Sequence, residues 1–171
     1  MNNQTNDYEK LSSMIRDIKF TMLTTVSPDG SLHSRPMGTI DMNAYDFETE
    51  GTLWFFSRKN SFKNMDIRND QHVNLAYSNP DKQQYVSVCG RAFISQDKNK
   101  MRELWNPILK AWFPEGLEDP EITLIGIRVE NAELWDSPPS KVVQLAGFMK
   151  AAVTGKPYDQ KAHSQHIDLR H

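Results

Sequence analysis

The chain has 171 residues, enough for one domain with a proper core, and its 38% hydrophobic and 10% aromatic content excludes a disordered polypeptide. Twenty Lys and Arg stand against 22 Asp and Glu, for a formal charge of -2, so the broad basic footprint of a duplex nucleic-acid binder is missing. The lone cysteine, Cys89, excludes an intramolecular disulfide and fits a reducing cytosol.

The first residues, Met1 to Asp7, are polar and carry no apolar signal core. No apolar run approaches the roughly 18–20 residues that span a bilayer, so a cytoplasmic protein without a membrane partner is expected. Tyr8, Leu11, Ile15 and Ile18 recur at helical spacing and predict an amphipathic helix over 8–18. Phe20–Val26 reads as a strand. Ser27-Pro28-Asp29-Gly30 is a turn, in which proline presets φ and glycine tolerates φ > 0. Leu32–Ile40 returns as the second arm of a hairpin. The acidic stretch from Asn43 to Gly51 is expected to be a loop.

Thr52–Ser57 carries bulky residues on both faces, which predicts a strand buried on one side and presented to a partner on the other. Ser61 is a candidate N-cap for a short helix to Asn69, with Phe62, Met65 and Arg68 along one side. His72–Ser78 alternates, with Val73, Leu75 and Tyr77 on one face. After the Asn79-Pro80-Asp81 turn, Tyr85–Ile94 is the longest strand, and Gly90 in its middle predicts a bulge or a close backbone approach. Asp97 is expected to cap a helix running towards Trp112 that Pro107 must kink or restart. Ile122–Val129 and Ala132–Trp135 are expected as two further strands. Ser137-Pro138-Pro139-Ser140 breaks the chain, Val142–Ala152 suits a short helix, and residues 157–171 read as a polar tail after a single domain of residues 1–156. About seven strands on short turns favour an antiparallel barrel or sandwich.

Three clusters carry candidate chemistry. His33-Ser34-Arg35-Pro36-Met37 puts an Arg on a strand, where its rigid fork of donors suits phosphate, although an exposed Arg on a sheet face is the commoner case. Ser57-Arg58-Lys59-Asn60-Ser61-Phe62-Lys63 places three cations and two hydroxyls where a helix begins, and free N–H groups with a positive dipole end favour an anion there. Glu133-Leu134-Trp135-Asp136 offers an indole that can pack on a planar ring, although a core Trp at a strand end is commoner. Trp54, Trp105 and Trp112 are read as core or interface residues. No Gly-rich dinucleotide fingerprint and no phosphate-loop motif occurs. Cys89 reads as packing, and His163 and His166 in a tail make a poor metal site. Tyr85 and His33 are acid–base candidates by residue type alone.

In order and spacing these pieces resemble the pyridoxamine 5'-phosphate oxidase-like flavoproteins, and within them the general stress protein subgroup. The residues that carry the likeness are Met22-Leu23-Thr24-Thr25, Asp29-Gly30, Ser34-Arg35-Pro36-Met37, Leu53-Trp54-Phe55-Phe56-Ser57, Ser61-Phe62-Lys63, Tyr85 to Ala92, and Ala132-Glu133-Leu134-Trp135-Asp136-Ser137-Pro138. The resemblance implies a mainly β fold with peripheral helices, an FMN-binding split β-barrel of antiparallel Greek-key type. It implies a homodimer with one flavin in each of two interface sites. FMN is the expected cofactor, with FAD as the alternative and a small-molecule redox substrate; related split barrels use deazaflavin or haem. The implied cofactor-binding residues are Arg35, Pro36 and Met37 on the second strand, Phe56 and Ser57 at the end of the third, Lys63 at the helix start, and Trp135 reaching the flavin from the other subunit. The oxidase's Arg–Lys pair at the helix start is broken here by Phe62, Tyr85 replaces its Gln, and its C-terminal substrate segment has no counterpart. The expected function is therefore that of an oxidoreductase or a flavin-storing stress protein more than a pyridoxamine phosphate oxidase.

Overall fold

A computed structural model of the chain describes residues 3–40, 51–136 and 164–169. The element order is α1 (Asn3–Asp17), β1 (Phe20–Val26), β2 (Leu32–Gly38), β3 (Thr52–Arg58), α2 (Phe62–Asn69), β4 (His72–Asn79), β5 (Gln84–Ser95), α3 (Lys98–Leu104), two 3-10 turns (Pro107–Ala111 and Gly116–Glu118), β6 (Ile122–Trp135) and β7 (Ser164–Asp168). The expected helix over 142–152 and the break at 137–140 lie outside the described residues.

The strands form one antiparallel sheet in the order β2-β1-β4-β5-β6-β3, with β7 added to β6. β2 and β3, the two ends of that order, approach each other without pairing, so the sheet curls into an open barrel. Alternation decides what faces inward. Leu23, Val73, Leu75, Tyr77, Val86, Val88, Ile127 and Leu134 pack on one core, and α1 covers it with Leu11, Met14, Ile15 and Ile18. Pro107 ends the helix after Asp97 and restarts the chain as a 3-10 turn, because its ring cannot continue the helical ladder. Asp97 caps α3 as expected, accepting from the backbone N–H of Asn99 and Lys100.

Four expectations change. β3 has no face left for a partner. Leu53 and Phe55 join the main core, while Trp54 and Phe56 are buried under Met101 and Phe113, with Phe93, Trp105 and Leu109 alongside. The segment between β5 and β6 therefore supplies the cover expected from a second chain. β6 is one strand of 14 residues, and the extra residue at its middle is absorbed by a register shift opposite Cys89 and Gly90. Residues 164–168 of the expected polar tail form β7, and Ile167 and Leu169 are buried. On α2 the buried face carries Asn64, Asp66 and Ile67, whereas Phe62 and Met65 are exposed.

Candidate functional site

The inverted face of α2 is explained by hydrogen bonding, and it builds the site. Asn64 is fully buried. Its Oδ1 accepts from Ser57 Oγ at 3.0 Å, and its Nδ2 donates to the Arg58 carbonyl at 3.0 Å and to that of Lys59 at 3.4 Å. One amide side chain thus ties the end of β3 to the start of α2. Ser61 sits at the N-cap position with extended backbone but makes no side-chain bond to the helix. Its hydroxyl lies 3.3 Å from Ser57 Oγ instead.

Asp66, two residues further, is also buried. It accepts from Thr25 Oγ1 at 2.7 Å and from Ser27 Oγ at 3.0 Å. Arg35 joins the same cluster from β2. Its Nη1 donates to Thr25 Oγ1 at 2.7 Å and to the Leu23 carbonyl at 3.3 Å, and its Nη2 lies 3.6 Å from Asp66 Oδ2. The register explains the meeting: Arg35 pairs with Leu23 across β1, which turns its side chain to the inner face at the barrel rim under α2.

Lys63 is half-buried beside this cluster. Burial, and then the Arg35 charge, hold its ammonium below the ordinary lysine value. Burial pushes the Arg35 guanidinium down too, and Asp66 pushes it back up. Arg35 therefore faces the buried carboxylate, and Lys63 adds a second cation near Arg35 at the first turn of α2, where helix N–H groups add positive potential. The excess of positive charge suits a phosphate-sized anion.

The structure brings Arg35, Lys63 and Ser57 into this one region. Phe56 is buried among Trp105 and Phe113, Met37 is in the main core, and Pro36 is exposed on the outer face of β2. Arg58 is committed elsewhere: its Nη2 donates to the Trp112 carbonyl at 2.6 Å, and its guanidinium lies over the Phe113 ring. It therefore does not stand in for the cation that Phe62 lacks, and Phe62 itself is 80% exposed.

Trp135 is exposed and pairs with Tyr85 on the outer face of the sheet. Four strand-to-strand steps separate its strand from Arg35, roughly 19 Å along the sheet. The two residues point to opposite faces, so the Trp135 ring is directed away from its own Arg35. His33 is exposed and bonds Ser27 and Ser31, and His166 on β7 lies beside Glu133. Asn64 and Asp66 were not among the residues expected to matter. The only sequence signal for them was polar residues at the helical positions that face the sheet.

A family model described as pyridoxamine 5'-phosphate oxidase like matches residues 6–159. The protein bli-3 of Neurospora crassa is 32% identical over 156 residues, which cover 86% of this chain and 73% of that protein. General stress protein 26 of Bacillus subtilis is 26% identical over 147 residues, covering 84% of this chain and 98% of that one. The crystal structure of the general stress FMN/FAD binding protein from Xanthomonas citri superposes with a TM-score of 0.66 at 25% identity, covering 78% of this chain and 90% of that one. The open antiparallel barrel and the span of the family match agree, and the chain belongs to the pyridoxamine 5'-phosphate oxidase-like family, with relatives named general stress proteins.

Proposed function

We propose that the protein is an FMN-binding flavoprotein of the stress-protein type, acting as an oxidoreductase on a small-molecule substrate in the cytoplasm, and that it works as a homodimer. The observation that carries the reading is the pair of neighbouring cations, Arg35 and Lys63, of which Arg35 alone is matched by a buried carboxylate, Asp66 of α2. Arg35 and Lys63 would hold the flavin phosphate, with Ser57 and Ser61 close by on the loop that Asn64 braces. A bound flavin supplies the hydride or electron transfer; this chain's residues bind it, orient it and exclude water from it. The outward Trp135, too far from its own Arg35 to share a ligand with it, supports a site completed by a second copy. The outer face of the sheet suits such a copy, because Pro36, Met22, Ala76 and Ser87 follow one another across β2, β1, β4 and β5 without charge, and the first charge in that row is Glu133 on β6.

The test is the visible spectrum of the purified protein before and after addition of FMN and removal of the excess, with sedimentation on the same sample. Retained flavin bands on a dimer are expected. Replacing Arg35 and Lys63 together by Ala should weaken FMN by more than about 2 kcal/mol, from lost charged hydrogen bonds. Undiminished FMN affinity in the double variant would remove the phosphate assignment, and a monomer at micromolar concentration would remove the shared site.

A further inference from the structure

Asp66 is an unusual neighbour for an anion site. It is a carboxylate with only 7% of its side chain exposed, and it faces the guanidinium expected to take the phosphate. Two of its three side-chain contacts run to that group. Thr25 Oγ1 donates to its Oδ2 and in turn accepts from Arg35, Ser27 Oγ donates to its Oδ1, and Arg35 Nη2 lies 3.6 Å away. The carboxylate thus already takes one face of the cation.

We propose that Asp66 is an affinity-setting residue of the cradle, an internal competitor that shares Arg35 with the ligand phosphate and lowers phosphate affinity in exchange for a stable ligand-free fold. The proposal rests on the flavin reading given above and goes beyond it. The charge balance motivates it. With Asp66 ionised, the two cations leave one net positive charge for a phosphate; with a neutral side chain they leave two. Removing a negative charge lodged against Arg35 relieves its repulsion with a doubly charged phosphate, an effect worth at least about tenfold in affinity at the effective dielectric of a protein surface. The opposing effect is looser Arg35 positioning. It is smaller, because Nη1 stays anchored on Thr25 Oγ1 and the Leu23 carbonyl without Asp66. The Coulomb effect therefore wins, and the change favours binding.

The test compares FMN with riboflavin, which lacks the phosphate, on the full chain, on Asp66→Asn and on Asp66→Ser. Asp66→Asn is expected to bind FMN at least about tenfold more tightly, to bind riboflavin within about twofold of the unchanged protein, and to unfold at lower urea. Affinity and stability then move in opposite directions, which a purely structural aspartate would not produce. Inorganic phosphate should likewise displace FMN at lower concentration from the variant's cradle when the competition is corrected for FMN affinity. FMN binding that is unchanged or weaker in both variants overturns the proposal, as does a riboflavin shift equal to the FMN shift. Failure of both variants to fold with saturating FMN also overturns it, because the phosphate should supply the missing countercharge. Absence of FMN binding by the unchanged protein removes the underlying flavin reading first, and it is seen before either variant is made.

Discussion

Replacing Asn64 by Ala tests whether the brace between β3 and α2 holds the candidate site. The side chain has no exposure and makes two hydrogen bonds of 3.0 Å and a weaker one of 3.4 Å. Each good bond is worth about 1 kcal/mol net. The Arg58 carbonyl keeps the N–H of Ser61 as a second donor and Ser57 Oγ keeps Ser61 Oγ, so the orphaning is partial. A small cavity adds to the loss, and about 2–3 kcal/mol in total is expected. For a chain of this size that lowers the melting temperature by roughly 5–10 °C. Urea unfolding followed by far-UV circular dichroism measures it, with FMN titration on the same samples expected to show weaker binding as the loop over 58–61 loosens. Asn64→Asp sharpens the experiment. It keeps the acceptor for Ser57 but turns a carboxylate oxygen towards two backbone carbonyls, so it should be less stable than the Ala variant. Asp equal to or better than Ala would refute the donor assignment. A loss in Ala below about 0.5 kcal/mol, with FMN binding intact, would refute the brace itself.

Two further outcomes are expected. Gly90→Ala places a methyl group against the backbone carbonyl of Arg128, with Ile127 Cγ2 only 3.1 Å away, so a cost of at least about 3 kcal/mol is expected in urea unfolding, and a loss under about 1 kcal/mol would show that the bulge can move. Lys63 sets an alkaline pH dependence: its folded pKa lies below the ordinary value, so between the two the unfolded chain binds more protons and ligand-free stability rises with pH. A phosphate reverses the shift, so FMN affinity should fall with rising pH across that window with proton uptake on binding. Calorimetry in two buffers of different ionisation enthalpy reads that uptake, and its absence would detach Lys63 from the ligand.

Strand positions were legible in the sequence because alternation and turn residues are local. Val73, Leu75 and Tyr77 on β4, the Gly90 bulge and the Asp97 cap all follow from neighbours a few residues apart. The rest depends on what lies across the fold. Phe62 and Met65 look like the buried side of α2 until Asn64 and Asp66 find partners on β3, β1 and the β1–β2 turn, tens of residues away for Asp66. The burial of Trp54 and Phe56 depends on Met101 and Phe113, which no reading of β3 alone can place there. β7 is short and polar, and only its pairing with β6 identifies it as a strand. Within the site, residue type pointed to Arg35 and Lys63 as cations, but the carboxylate against Arg35 and the anchor on Thr25 are products of register.

β6 bonds to three strands along its length: β5 over most of it, β3 through Ile122–Arg128, and β7 through Asn131–Trp135. Its partners lie far off in sequence on both sides, with Phe55 opposite Ile125 and Ile167 opposite Ala132. Loops of that length must close before those pairings return any free energy, so folding waits on rare encounters between distant segments. The hairpins β1–β2 and β4–β5 can form early, but the β3–β6 seam cannot. Until it does, the hydrophobic residues of β3 stand uncovered, and this is the stage at which the chain is most exposed to sticking to another copy of itself.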